Sequence, residues 1–376
     1  MIKKVGILTF HNAHNYGATL QAYALRNKLR HMGYDANIIN YCNKSISKNY
    51  TKILRPYFWK RDILPQNWPK VIREIKKCIY AQNAWKRQWK AFTDFRNGIL
   101  LEGNVKEVTF SELEQSDYDA FILGSDQIWA SELTRGLDPV YFGEFAFGKR
   151  KVSYAASVPN GTIPDREVEL FRKKLKSIDV ISVREEKLAE IVRKLAEKPV
   201  ATVVDPTLLL ETEDYDNLIS KELKSATKYV FAYFVVENEK LLECAKKAAQ
   251  MLGVELIELH YFEMPNQKGR NVIADIGPEE FLYYIKNAEM VLTNSFHGTV
   301  FSIIFGRKFY SVYEHNNRIT HLLEFLEIPT RHIHNAEQIN FKEDIDYEKV
   351  KMLLANYRSE SISFLEEALK EEKSGI

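Results

Sequence analysis

Apolar and polar positions alternate along this chain in two series, each reading as strand, loop, helix, strand. Residues 5–10 (VGILTF) are a continuous apolar run, HNAHNYG is a polar turn, and residues 18–33 repeat apolar side chains at helical spacing. Leu20, Tyr23, Ala24 and Leu29 fall roughly on one face, and Gly33 is placed to end the helix. Residues 36–41 (ANIINY) supply the next strand. This opening βαβ unit predicts a parallel sheet covered by helices.

The alternation resumes at DAFILGSDQIW, a strand running into a loop, and at KVSYAASVP, another strand. A helix around 167–176, the strand DVISVREE, a helix over 187–197 and a last strand in VATVVDPTLLL complete the first half. Residues 211–228 are charged and lack a clear period, so the boundary is placed there. The second series runs through YVFAYFVV, a helix over 240–252, VELIEL, a helix over 278–288 and MVLTNSFHG. The helix TVFSIIFG, the strand KFYSVY, the helix NRITHLLEFLEI and the short RHIHN follow, and 347–372 closes the chain as a long helix. The expected fold class is α/β, with domains at 1–212 and 226–340 and a closing helix in 345–376 that is free to pack back on the first. Ligands of such sheets sit at the carboxyl ends of the strands.

Composition agrees with this division. At 376 residues the chain exceeds one hydrophobic core, and 45% apolar with 28% charged residues describe a soluble globular protein. Cys42, Cys78 and Cys244 are odd in number and far apart, with no CxxC or zinc spacing, which points to free thiols in a reducing compartment. The opening MIKKVGILTF reads as a buried strand rather than a signal peptide, and no stretch of about 18 apolar residues occurs. A cytoplasmic location is expected.

Charge changes the picture in one place. Residues 44–96 carry 14 Lys/Arg against three acidic side chains, a local +11, leaving −9 for the rest of a chain whose net charge is +2. Trp59, Trp68, Trp85 and Trp89 fall in the same stretch. Residues 68–95 read as a helix with Val71, Ile72, Ile75 and Ile79 on one face, continued by Trp85, Trp89 and Phe92. Such a helix suits an anionic membrane surface; the plainer reading is a core helix pair with solvated cations. Nucleic acid is not expected as a partner, since the remainder is acidic and carries no binding motif.

Four short motifs sit where strands hand over to loops or helices. In NYGATLQ, Asn15 and Gly17 lie at a helix N-terminus, where free N–H groups favour an anion or simply a tight turn. GSDQIW offers Ser125, Asp126 and Gln127; an aspartate there accepts a hydroxyl proton or caps the next helix. SVRE presents Arg184, suited to a carboxylate or phosphate, or to a salt bridge with Glu185, Glu186 or another neighbour. In TNSFHG, Asn294 or Ser295 caps a helix beginning near Gly298, while His297 at a positive helix end beside an anion is poised for acid–base work. Arg318 opens another helix 21 residues later.

Taken together and in this order, NYGATLQAYAL, GSDQIW, SYAAS, SVRE, DPTLLL and the strand–SFHG–helix element resemble the polysaccharide pyruvyl transferase family over residues 4–325. The resemblance implies two Rossmann-like domains facing across a cleft in a GT-B-like fold. It also implies transfer of a pyruvyl group from phosphoenolpyruvate to a sugar, forming a ketal, with no metal or other cofactor. Arg184 matches the family's SVRE arginine and His297 the histidine of its Arg-Leu-His-Gly element, with Arg318 matching a later basic residue by spacing. Ser295 stands where many members carry arginine, so another cation must replace it: Arg318, Arg307 or Lys308.

The roles expected on this basis are His297 as general acid, Asp126 as base, and Arg184 in catalysis and donor binding. Arg318, Asn15, Gly17, Ser295 and Gly298 are expected on the donor, and Ser125 and Gln127 on the acceptor, a glycan or lipid-linked sugar at the inner membrane face. A sugar-nucleotide glycosyltransferase and a non-catalytic glycan-binding protein are the alternatives.

Overall fold

Short strands, fully buried at the centre and partly exposed at the edges, build two parallel sheets of six strands each. The computed structural model describes residues 2–46, 68–219, 223, 227–260 and 269–370, and the side chains of 69–81 fall outside that description. In the first sheet β1 (Lys4–Leu8), β2 (Asp35–Ile38), β3 (Ala120–Leu123), β4 (Arg150–Ala156), β5 (Val180–Val183) and β6 (Val200–Thr202) lie in the order β2-β1-β3-β4-β5-β6. Val5, Ile7, Leu8, Phe121, Ile122 and Leu123 are at most 1% exposed, as expected for strands covered on both faces. In the second, β7 (Tyr229–Tyr233), β8 (Glu255–Leu259), β9 (Val272–Ile273), β10 (Met290–Thr293), β11 (Phe309–Val312) and β12 (His332–Ile333) lie in the order β12-β11-β10-β7-β8-β9.

Each order contains one reversal. In the first sheet the chain turns back between β1 and β3, in the second between β7 and β10. Helices leave the strands on either side of such a point in opposite directions, which opens a crevice at the carboxyl edge. The candidate motifs therefore have two natural addresses, one in each sheet.

Helices follow where apolar periodicity predicts them. α1 (Tyr16–His31) follows β1, α2 (Trp68–Phe95) fills the basic segment, and α3 (Val168–Leu175) and α4 (Glu186–Ala196) follow β4 and β5. α5 (Glu239–Leu252), α6 (Pro278–Asn287), α7 (Phe296–Ile304) and α8 (Asn317–Phe325) serve the second sheet, and α9 (Tyr347–Ala368) closes the chain. Among the described residues no helix is long and apolar enough to cross a membrane.

Three boundaries differ from the sequence reading. VATVVDPTLLL keeps only Val200–Thr202 as strand; Pro206 has no N–H for a ladder, and Pro206–Leu209 forms a 3-10 turn capped by Asp205, whose side chain accepts from Thr207 N. α7 begins at Phe296, two residues earlier than placed, and β9 was not foreseen. The chain divides into one unit of Met1–Asn49, Asp94–Glu211 and Lys351–Ile376 and a second of Tyr50–Thr93 and Thr212–Val350. The basic segment, assigned to the first domain from sequence, thus groups up to Thr93 with the second. There Arg87 Nε donates to Asp275 at 2.7 Å, and Ala91 lies against Gly277. Residues 47–67 of that segment, with Trp59, lie outside the described residues.

The closing segment completes the first unit. Val204 N donates to Ser361 Oγ at 3.0 Å, Arg358 Nε to Leu208 O at 2.7 Å, and Arg150 Nε to Ala368 O at 2.9 Å.

Candidate functional site

The second sheet's reversal carries the TNSFHG element. Buried β10 ends at Thr293, whose hydroxyl donates to Tyr233 O of β7 at 2.9 Å and accepts from Ser295 N at 3.0 Å. Ser295 is the N-cap of α7, its hydroxyl accepting from Gly298 N at 3.1 Å. A Cβ at Gly298 would stand 2.6 Å from Thr293 Oγ1, so only glycine lets the helix start this close to the strand. These contacts put His297 in the first turn of α7, half-buried, where unsatisfied N–H groups create a positive end.

Phe296, 8% exposed, joins the two residues that matter most here. The His297 ring meets it edge-on with centroids 5.1 Å apart, and the Arg318 guanidinium lies 5.6 Å from its centroid. Arg318 stands in the first turn of α8, capped by Asn316 at 3.4 Å to Ile319 N, just beyond the carboxyl end of β11. The structure therefore brings His297 and Arg318 to one edge of one sheet. Arg307 and Lys308, the other cations expected as substitutes for arginine at 295, precede β11 and lie at the sheet's amino edge. Arg307 Nε donates to Phe305 O at 3.1 Å, and Lys308 pairs with Asp344 at 2.5 Å. Strand direction thus sets both apart from Arg318, which follows β11.

Asn294 completes this edge. Its amide accepts from Val235 N at 2.8 Å and donates to Val236 O at 2.8 Å, tying the loop after β7 to the element that carries His297. Behind that loop His260, 1% exposed, stacks on Phe234 at 4.2 Å and sits between Glu237 and Glu258. Burial works against a charged ring here, but hydrogen bonds to the two carboxylates outweigh it and raise the His260 pKa above its ordinary value.

The first sheet's reversal carries the other motifs. Asn15 caps α1, accepting from Ala18 N at 3.1 Å, and Gly17 is buried in its first turn. Across the reversal Thr9 Oγ1 donates to Ser125 O at 3.0 Å and accepts from Gln21 Nε2 at 2.9 Å. A Cβ at Gly124, whose φ is +122, would stand 2.3 Å from Tyr154 O, so β3 and β4 meet there only through glycine. Ser125 is fully buried, whereas Asp126 and Gln127 are half-buried. Asp126 (φ 73) and Ala155 (φ 48) both adopt the left-handed region, a concentration of backbone strain common at functional edges.

Arg184, expected as a donor ligand, ends β5 with its side chain 4% exposed. Nη1 donates to Asp205 Oδ2 at 2.7 Å and Nε to Glu185 Oε1 at 3.1 Å. Ser157 Oγ also donates to Glu185 Oε1, at 2.8 Å, and Asp205 Oδ1 accepts from Thr207 N and Oγ1. Burial alone weakens the charge of this guanidinium, but Glu185, Asp205 and Asp126 together raise its pKa above the ordinary arginine value. The salt-bridge reading of SVRE is therefore present in full, with Asp205 of DPTLLL as its principal partner.

Several polar residues at these edges were missed by the sequence reading. His11 is buried, with Nδ1 3.1 Å from Thr9 O and Nε2 2.9 Å from Asn40 Oδ1, and burial lowers its pKa. His14 is pushed down to about 3, by burial and then by Arg96. The signal was present: HNAHN places two histidines between a strand and a helix. Glu237, whose partner His260 lies 23 positions on, gave no local signal, and Asp205 stood within DPTLLL without a role. No group of three or more metal-ligating side chains occurs among the described residues.

Two Rossmann-like sheets with polar loops at both reversals define a GT-B-like class of chain. Solved structures agree on the fold. The S. aureus MnaA–UDP co-structure is similar with a TM-score of 0.52 at 11% identity, covering 100% of both chains. A UDP-N-acetylglucosamine 2-epimerase has a TM-score of 0.52 at 11% identity, covering 100% of this chain and 99% of that one. No curated protein sequence matches. The family is given by sequence: the chain belongs to the polysaccharide pyruvyl transferase family, whose model matches residues 15–316, and it is accordingly a transferase acting on a sugar acceptor. The resemblance carried by NYGATLQ, GSDQIW, SVRE and SFHG is thereby confirmed.

Proposed function

We propose that this transferase moves a pyruvyl group from phosphoenolpyruvate to two hydroxyls of a lipid-linked sugar, forming a ketal. The observation that carries the reading is the gathering of His297, Arg318 and the α7 N-terminus at the carboxyl edge of the second sheet. Phosphoenolpyruvate is a compact polyanion, and a guanidinium beside a helix N-terminus matches its phosphate and carboxylate. Arg318 supplies the cation that Ser295 does not, while Ser295 and Gly298 hold the helix start in place.

The chemistry balances as follows. His297, protonated, gives its proton to the vinyl methylene, which becomes the methyl group, and C2 becomes electrophilic. One sugar hydroxyl adds to C2, and its proton returns to the now neutral His297. The second hydroxyl then displaces inorganic phosphate: the second C–O bond forms as the C2–O bond to phosphate breaks, and the phosphate leaves with that hydroxyl's proton. Gln127, half-buried at the carboxyl edge of the first sheet, is assigned to the acceptor, which fully buried Ser125 does not reach. Arg184 orders Glu185 and Ser157 at the same strand edge.

Phosphate release from phosphoenolpyruvate over a panel of lipid-linked and nucleotide-linked sugars tests this. Wild type is expected to release phosphate only with an acceptor, and His297→Gln to lose about 100-fold or more in kcat. No release with any acceptor, together with tight binding of a nucleoside diphosphate sugar, would overturn the reading in favour of glycosyl transfer.

A further inference from the structure

The loop after β7 borders the crevice opposite His297, and nothing above gives it a task. It is held at both ends. On one side Asn294, three residues before His297, bonds Val235 N and Val236 O at 2.8 Å each. On the other, Glu237 Oε1 accepts from His260 Nδ1 at 2.6 Å. Between these ties Val235 and Val236 are 45% and 66% exposed, two apolar side chains on a loop that borders a polar crevice.

The anchor behind the loop is built to hold a charge-assisted bond. His260 Nε2 lies 3.1 Å from Glu258 Oε2, so both ring nitrogens meet carboxylate oxygens and both act as donors. Arg270 Nε donates to Glu258 Oε1 at 2.8 Å, and its Nη2 lies 3.5 Å from His260 Nε2. Two carboxylates thus face two cations. His260 itself is packed flat on Phe234, the first residue of the loop, which fixes the ring plane.

We infer that Glu237 and His260 form a latch that positions the 234–238 loop against the His297 element through Asn294, making both of them positioning residues for donor binding. This rests on the proposed donor site at His297 and Arg318. The loop covers the reacting carbon with valine side chains, which match the methylene and exclude water beside the protonating imidazole. Release of the latch loosens the loop between Phe234 and Asn238 and weakens the donor's enclosure without touching His297.

Glu237 is 62% exposed, so Glu237→Gln removes the carboxylate with little risk to folding. Hydrogen exchange at the Val235 amide is measured first, with no substrate. The variant is expected to exchange about tenfold faster there than wild type, with the core of β10 unchanged. The KM for phosphoenolpyruvate is expected to rise about tenfold with kcat within about twofold, a split that a general loss of fold does not produce. Unchanged exchange at Val235 overturns the latch, and faster exchange with unchanged KM overturns its role in donor binding. If wild type turns over no phosphoenolpyruvate while the variant still exchanges faster, the donor reading fails and the latch stands.

Discussion

Arg318 illustrates how much one side chain's address decides. By sequence it was one of three cations offered for the place that Ser295 leaves empty of charge. Strand direction separates them, because Arg307 and Lys308 precede β11 while Arg318 follows it. Arg318→Ala is therefore expected to raise the KM for phosphoenolpyruvate by roughly tenfold, the size of one charge-assisted contact. Arg307→Ala should leave it within about twofold, and steady-state kinetics on the pair discriminate the two. His297, Asp126 and Ser295 were legible as residues of interest because histidine, aspartate and serine at strand ends are few. Their surroundings were not legible. For Arg184 a salt bridge to Glu185, Glu186 or another neighbour was on offer, but not Asp205, which lies 21 positions away and is buried. Phe296, which contacts both His297 and Arg318, was given no role in the sequence reading.

Elements were more legible than contacts. Nearly every strand and helix of both sheets followed from apolar periodicity, since buried parallel strands read as short apolar runs and their helices as 3.6-residue patterns. The exceptions have local causes: Pro206 ends β6 early, and the two-residue β9 is too short to show a period. The handover from β10 to α7 is the element on which the proposed site depends. Gly298→Ala places a methyl 2.6 Å from Thr293 Oγ1, which must move although it is bonded to Tyr233 O. A destabilisation of about 1–3 kcal/mol is expected, by overpacking, with a matching shift in the urea midpoint. An unchanged midpoint would show that the strand and helix have room to separate. The same substitution should lower kcat, because the first turn of α7 carries the imidazole.

At the scale of the whole molecule, two six-stranded sheets with different strand orders serve one family's activity. The alternation along the sequence showed two such halves, whereas the two compact units each gather segments from separate parts of the chain, because proximity in space is not ordered along it. The basic stretch 44–96 is the remaining large feature. Trp68 is 56% exposed, while Ala84, Gln88, Phe92 and Phe95 are buried along one face of α2. That face of the helix's later turns is thus core, while Lys86, Arg87 and Lys90 on the other side are exposed. Co-sedimentation with anionic phospholipid vesicles is expected at low salt and lost by about 0.5 M, as for attraction carried by lysine and arginine. Binding that is indifferent to both lipid charge and salt would refute it. The closing segment has a consequence for how the protein is made. Ser361, Arg358 and Ala368 bond to strands and turns laid down some 150 to 218 residues earlier. The amino-terminal unit therefore waits, unfinished, until translation has reached the last turns of the chain. A premature stop codon near the end would harm the first part synthesised rather than the last.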